Sequence, residues 1–150
     1  MWLETSRFGR IEVDQDRLIH FPKGILGFPE QTRYALIQTG PDSVFYWLQA
    51  ADRPELAFVV CDPQLFVADY QAPIKAEEAE SLGLEDLTKA QVLVIVNKVD
   101  GVLTGNLQGP LVVNCTSRTG RQLVLSEKRF ATRHPLMKLP ERAEMMSMTA

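Results

Sequence analysis

The stretch QVLVIVNKVDGVLTGNL, residues 91–107, decides the fold of this chain. Its first half is a short, nearly continuous apolar run, which at this length favours a β-strand. Asp100 and Gly101 then supply the residue pair that a tight hairpin turn prefers, because both tolerate positive φ. Residues 102–107 return with further β-forming side chains, so the stretch predicts an antiparallel β-hairpin.

Similar short segments lie on both sides of this hairpin and are separated by glycine, proline and aspartate turns. Their ranges are 3–8, 10–13, 17–21, 34–38, 44–49, 56–61, 111–116 and 122–125. Residues 76–82 predict one short helix that ends at Gly83, and residues 86–89 predict a further helical turn. We therefore expect a mainly β fold, a small antiparallel β-barrel-like or sandwich domain with one or two short helices.

The domain organisation follows from the same pass along the chain. Residues 1–136 are expected to form a single domain, because 150 residues suffice to bury a core without metals or disulfides. Residues 137–150 show no apolar periodicity and are expected to be a loosely ordered C-terminal tail.

The composition favours a cytoplasmic protein without a membrane partner. Residues 1–7 lack the basic and apolar regions of a secretory signal. The longest strongly apolar run, residues 92–96, is too short to span a membrane. Cys61 and Cys115 lie in apolar segments, so we expect buried thiols in a reducing compartment rather than a disulfide.

The net charge of −3 argues against direct binding of nucleic acid, which needs a surplus of Lys and Arg. The charge is unevenly spread along the chain. Residues 42–86 contain ten acidic and two basic groups, whereas residues 87–150 contain four acidic and nine basic groups. A solvated mixed surface is the simplest interpretation, and an acidic patch that steers a basic partner is the alternative.

Groups that could converge for catalysis are scarce. The two histidines are His20 and His134, and both cysteines lie in apolar segments where a thiol is usually inert. The chain has no Gly-x-Ser-x-Gly turn and no Cys-x-x-Cys or His-x-x-x-His spacing. The acids at 77, 78 and 80 lack the loop pattern of a calcium site. We therefore expect neither an enzyme nor a protein with a cofactor or metal.

Several segments, in order, resemble the flagellar assembly factor FliW family. They are FG (8–9), IEVD (11–14), FPKGILGF (21–28), WLQ (47–49), LAFVV (56–60), DP (62–63), VIV (94–96), Thr104, NL (106–107), PLVVN (110–114) and RHPL (133–136). The resemblance covers roughly residues 2–136. It implies a small β-barrel-like domain, in agreement with the strand pattern.

The resemblance also implies a non-enzymatic regulator. FliW proteins bind newly made flagellin in the cytoplasm, and they bind the RNA-binding translational repressor CsrA. They bind CsrA away from its RNA-binding surface and so antagonise, allosterically, its repression of flagellin mRNA translation. Flagellin and CsrA compete for the FliW protein.

Contact residues can be suggested from the chemistry of these partners. CsrA must present basic groups to RNA, so an acidic patch on this chain would steer the encounter. The candidate acidic contacts are Asp69, Glu77, Glu78 and Glu80. The terminal segments of flagellin are amphipathic helices, which bind apolar grooves or patches. The candidate apolar contacts are Ile25, Phe28, Phe66 and Tyr70.

The role of one loop, and two alternatives for the function of the whole chain, stay open at this point. Residues 24–27 (GILG) either tuck their apolar side chains against the core or form a partner-facing loop. The whole chain could also be a small β-barrel ligand-binding protein, which predicts a deep pocket with converging polar groups. An RNA-binding protein is the third possibility, and it would use Arg118, Arg121, Lys128, Arg129 and Arg133.

Overall fold

The computed structural model describes residues 1–127 and 129–139. The strands are β1 (Trp2–Thr5), β2 (Gly9–Glu12), β3 (Ile19–His20), β4 (Arg33–Gln38), β5 (Phe45–Ala50), β6 (Ala57–Cys61), β7 (Ala90–Val99), β8 (Val102–Gly105), β9 (Leu111–Asn114), β10 (Thr119–Gln122) and β11 (His134–Lys138). The described part of the chain also has one α-helix, α1 (Ala76–Ser81), and three 3-10 turns, Gln15–Arg17, Pro63–Leu65 and Leu87–Lys89.

β7 organises the sheet, as residues 91–107 predict. Its second half, residues 96–99, pairs antiparallel with β8, and its first half, residues 90–93, pairs with β9 along the same edge. β6 pairs with the other edge. The turn between β7 and β8 has φ of 50° at Asp100 and 77° at Gly101, the two positive values of a type I′ turn. The predicted hairpin is confirmed.

The remaining pairings close the sheet into a ring. From β7 the ring runs through β6, β5, β4, β3, β10 and β9, and β9 returns to β7. Its one parallel contact joins β3 to β10 through His20 and Thr119. β8 and β11 extend the sheet beyond the ring, and β1 and β2 form a separate hairpin. The expected mainly β, barrel-like fold is confirmed.

Both faces of the ring are covered by apolar side chains. Successive side chains of a strand point to opposite faces, so Val60 and Leu93 belong to the cluster inside the barrel. Their neighbours Cys61 and Val94 belong to a second cluster outside it, which residues of the 66–84 and 123–130 segments cover. This double burial explains why the strands at 56–61 and 92–96 are apolar on both faces.

The two ends of the barrel differ. At the end where β4 begins and β5 ends, the loop after β3 folds over the interior, and Ile25 is packed within the inner cluster. The side-chain amide nitrogen of Gln49 there lies within 3.1–3.3 Å of four backbone carbonyl oxygens, those of Ala50, Arg53, Pro54 and Leu56, which share its two N–H donors. We call this the closed end. The opposite end, where β4 ends and β5 begins, is called the mouth.

Two details of the sequence analysis need correction. The last predicted strand, residues 122–125, lies three residues earlier in the structure, at β10. Leu123 and Leu125 are buried and Val124 is exposed, so burial alternates along residues 123–125 as in a strand. These residues follow β10, however, and pack beside the sheet rather than within it. Cys115 is exposed rather than buried because it follows the end of β9 in a turn, whereas Cys61 is buried as expected.

The C-terminal boundary lies further along the chain than residue 136. β11 includes Met137 and Lys138, which pair with Leu103 and Val102 of β8. The backbone N–H of Leu139 then donates to the carbonyl of Gly101. The rest of the predicted tail, residues 140–150, lies outside the described residues.

Candidate protein-binding site

Two of the four predicted apolar contacts are part of the core. Ile25 exposes 2% of its surface and Tyr70 exposes 3%. The hydroxyl of Tyr70 donates to the carbonyl oxygen of Leu107 at 2.7 Å, and burial raises the pKa of Tyr70 to about 12. Both are therefore corrected from exposed contact residues to core residues, although the edge of Tyr70 also lines a surface depression.

The other two apolar candidates are half-buried and lie apart. Phe28 packs edge-on against Phe58 at the closed end, with ring centroids 5.6 Å apart. Phe66 stacks on Phe45 at 5.7 Å and packs against the outer cluster. The structure therefore does not bring the four predicted apolar residues together into one surface.

The loop at residues 24–27 places one apolar side chain against the core and the other in solvent, so each of the two interpretations of this loop holds for one residue. Ile25 packs inward, and it forms an isolated β-bridge with Phe28. Leu26, at the tip, is 75% exposed. Its N–H donates to the side-chain oxygen of Gln122 at 2.7 Å, which fixes the loop against β10 with Leu26 facing solvent.

The predicted acidic contacts separate into exposed carboxylates and one structural carboxylate. Asp69, Glu77 and Glu80 are exposed. Glu78 is half-buried and accepts the backbone N–H of Lys75 at 2.9 Å, which caps the first turn of α1. We call residues 77–86 the acidic segment, and its exposed carboxylates are Glu77, Glu80, Glu85 and Asp86.

The mouth carries exposed apolar side chains that the sequence analysis did not single out. Leu36, Val44 and Leu65 expose 36%, 40% and 60% of their surfaces. With Tyr46 and Leu93 they line a depression of about 310 Å³. They come from the end of β4, the turn before β5 and the 3-10 turn after β6. Clustered apolar side chains of this kind mark surfaces that bind other chains.

A second depression adjoins the first on the side of β6 and β7. It has a volume of about 620 Å³ and shares Asp62 and Gln91 with the first. Its lining includes the half-buried Ile74 and the exposed Leu87. The apolar lining of the mouth thus continues beneath the segment that leads to α1.

A third depression, of about 370 Å³, adjoins the first on the side of β3 and β10. It shares Leu36 and Tyr46 with the first, and its lining includes Arg17 and Arg118. We call the three depressions together the mouth groove. The groove has apolar side chains in the middle and ionic groups towards both sides.

One signal in the sequence could have indicated part of this groove. Asp62-Pro63 begins the 3-10 turn, because the Asp62 carboxylate accepts the N–H of Gln64 at 2.9 Å. That turn points Phe66 towards the outer cluster and leaves Leu65 in solvent. Phe66, the predicted contact, is therefore the more buried member of this adjacent pair.

The buried thiol shows why the barrel holds no activated nucleophile at this position. Burial, together with the neighbouring Asp62, raises the pKa of Cys61 to about 12, so the thiol stays protonated near neutral pH. In residues 1–127 and 129–139, no three His, Cys, Asp or Glu side chains are grouped to hold a metal ion. None of the described helices is long and apolar enough to cross a membrane.

The basic residues considered for RNA have different neighbours. Arg118 lines the mouth groove, Arg121 donates to the hydroxyl of Ser81 beside α1, and Arg129 pairs with Glu127. Lys128 lies outside the described residues.

The residues that carry the family resemblance perform structural tasks. Asn106 accepts the N–H groups of Gln108 and Gly109 and so fixes the turn after β8. The amide of Asn114 donates to the carbonyl of Leu82 at 2.8 Å and ties β9 to the end of α1. These contacts give Asn106 and Asn114 structural roles that require no partner.

These features define a small closed β-barrel with a cluster of exposed apolar side chains, Leu36, Val44 and Leu65, at one end. The model of the FliW protein family matches residues 2–136. The flagellar assembly factor FliW of Alkaliphilus metalliredigens is 39% identical over 140 residues, which span 91% of this chain and 86% of the relative. That of Bdellovibrio bacteriovorus is 38% identical over 145 residues, 95% of this chain and 83% of the relative.

A solved structure agrees with the sequence matches. The crystal structure of a flagellar assembly factor FliW superposes with a TM-score of 0.84 at 29% identity, and it covers 95% of this chain and 99% of its own. The chain belongs to the FliW family of flagellar assembly factors.

Proposed function

We propose that this protein is a non-enzymatic, cytoplasmic regulator that binds flagellin and the translational repressor CsrA. By binding CsrA it relieves repression of flagellin mRNA translation, and flagellin competes for it. Membership of the family of flagellar assembly factors supports this proposal, and the observation that carries it is the mouth groove. A groove lined by Leu36, Val44 and Leu65 suits an amphipathic helix such as a terminal segment of flagellin.

A cell-free translation assay tests the regulatory cycle. Purified CsrA should repress translation of flagellin mRNA, this protein should restore it, and added purified flagellin should bring the repression back. Omitting this protein from the flagellin titration provides the control. If this protein leaves CsrA repression unchanged at concentrations well above that of CsrA, the proposed antagonism is wrong.

The acidic segment supports the CsrA part of the proposal. Glu77 and Glu80 are exposed and free of the capping role that Glu78 performs. Long-range attraction between such carboxylates and a basic partner mainly raises the association rate and makes it sensitive to salt. We therefore assign these two carboxylates, with Asp69, to steering CsrA.

The double variant Glu77→Lys with Glu80→Lys should slow association with CsrA about tenfold at low salt. The matched control reverses two other exposed carboxylates, Glu12→Lys with Glu30→Lys, and therefore has the same net charge. Stopped-flow association rates at several salt concentrations distinguish the two. Equal slowing in both variants would show that net charge, and not the acidic segment, governs the encounter.

A further inference from the structure

Arg118 occupies an unusual position at the edge of the mouth groove. Its φ is 59°, a left-handed conformation that is uncommon for residues other than glycine and is often found at functional sites. One guanidinium nitrogen donates to the backbone carbonyl of Arg17. The side chain is therefore held over the third depression and does not extend freely into solvent.

The hydrogen-bonding capacity of this guanidinium is mostly unused. Nε of Arg118 is buried and has no partner among the described residues. Arg10, Arg33 and Arg53, by contrast, each form a salt bridge with a carboxylate. The carboxylate in the same depression, Asp14, instead accepts the N–H of Asp16 at 2.9 Å. A fixed guanidinium with free donors is suited to a carboxylate from outside the chain.

The far side of the groove has the opposite charge. Asp62 lies between the first and second depressions, and the exposed Asp86 and Glu85 precede the 3-10 turn that contains Leu87. Between these acids and Arg118, the groove is lined by Leu36, Tyr46, Leu65 and Leu93. The groove is thus basic at one side, apolar in the middle and acidic at the other.

We propose that the mouth groove binds an amphipathic helix whose apolar stripe ends beside an acidic side chain, and that this carboxylate binds Arg118. The inference rests on the proposed binding of flagellin, and flagellin is the occupant to which it refers. Charge complementarity fixes the direction of the helix, because its acidic end must lie at β10. A second copy of this chain is the competing occupant.

The variant Arg118→Gly tests this inference. Glycine adopts a φ of 59° without strain, so the variant should fold with an unchanged or slightly higher melting temperature. It should bind purified flagellin about 10- to 100-fold more weakly, the effect of losing a charge-assisted hydrogen bond, and its affinity should depend less on salt. Arg121→Gln is the matched control, because Arg121 contacts α1 rather than the groove, and its affinity should change less than about twofold.

The outcomes separate this inference from the proposed function. If wild type binds flagellin and Arg118→Gly binds it equally well, the arginine contact is wrong while flagellin binding stands. If wild type does not bind flagellin, both are wrong. A wild-type dimer in light scattering that Arg118→Gly converts to a monomer would identify a second copy as the occupant and overturn the inference. Charge reversal gives a further test. Arg118→Glu should bind wild-type flagellin weakly, and it should recover affinity for the flagellin variant in which the acidic residue that contacts Arg118 is replaced by lysine.

Discussion

At the closed end of the barrel the loop after β3 buries Ile25 and the Gln49 amide is surrounded by four backbone carbonyls, whereas at the mouth Leu36, Val44 and Leu65 are exposed. The closed end combines the FPKGILGF loop with the loop between β5 and β6. The mouth is built from the ends of β3, β4, β5, β6, β7 and β10. The comparison shows that most of the FPKGILGF motif stabilises the fold, with only Leu26 at its tip in solvent, while the apolar cluster at the mouth lies outside that motif.

The largest effect is expected from Gly24→Ala at the closed end. Gly24 has φ of 67°, and an added Cβ would lie 2.3 Å from the carbonyl oxygen of Phe28 and 2.6 Å from Cα of Pro29. Backbone strain and steric overlap should together lower the free energy of unfolding by about 3–5 kcal/mol. Urea denaturation of the purified variant measures this change.

Gly27→Ala in the same loop is the matched control. Gly27 also has positive φ, 90°, but a Cβ there would meet no atom within 4 Å. Only the strain remains, so we expect a loss of about 1–2 kcal/mol. Equal losses at the two glycines would show that the closed end is not packed as described.

A second contrast is expected between two adjacent residues of this loop. Ile25→Ala creates a cavity in the inner cluster and should cost about 2–5 kcal/mol. Leu26→Ala removes a side chain that is 75% exposed and should change stability by less than about 0.5 kcal/mol. Thermal and urea unfolding measure the stability of both variants. A larger loss for Leu26→Ala than for Ile25→Ala would contradict the placement of Ile25 in the core and Leu26 in solvent.

The sequence predicted the strands well because burial on one or both faces leaves a periodic pattern. It missed the position of β10, since Leu123, Val124 and Leu125 alternate like a strand while packing beside the sheet. It also placed Tyr70 on a contact surface, although its hydroxyl binds the carbonyl of Leu107. Aromatic residues in a bounded segment look alike whether they are buried or exposed, and only the tertiary contacts distinguish them.

The mouth groove could not be predicted from local patterns. Leu18, Leu36, Leu65 and Leu93 are separated by many residues and become neighbours only when the ring closes between β7 and β9. A strand pattern can suggest the face of Leu36 in β4 and of Leu93 in β7, whereas Leu18 and Leu65 lie outside the strands. The location of the barrel end, however, depends on the register of several strand pairs.

A pH-dependent effect on stability concerns Tyr34, which lies near the closed end and is completely buried. Burial raises its pKa to about 12, above the usual value of about 10 for an unfolded chain. A raised tyrosine pKa favours the neutral form in the folded state. Its contribution is therefore fully present below about pH 10 and is lost as the pH rises towards 12.

Tyr34→Phe tests this pH dependence. The Tyr34 hydroxyl has no hydrogen-bond partner among the described residues, so the variant should be at least as stable as wild type at pH 8. It should also lose less stability than wild type between pH 10 and 12, as measured by urea midpoints. Tyr70→Phe is the contrast, because it leaves the Leu107 carbonyl unsatisfied and should cost about 1–2 kcal/mol at pH 8.

The most direct test of the account compares flagellin affinity after two pairs of substitutions. The mouth variant, Val44→Ser with Leu65→Ser, removes the two most exposed apolar side chains that line the first depression of the mouth groove. The comparison variant, Leu26→Ser with Val124→Ser, removes two apolar side chains outside the groove that are even more exposed. Both variants should fold normally. The account predicts that calorimetry with purified flagellin shows a loss of affinity of at least about tenfold for the mouth variant and little change for the other. Loss of binding in the Leu26→Ser, Val124→Ser variant, with normal binding by the mouth variant, would contradict it.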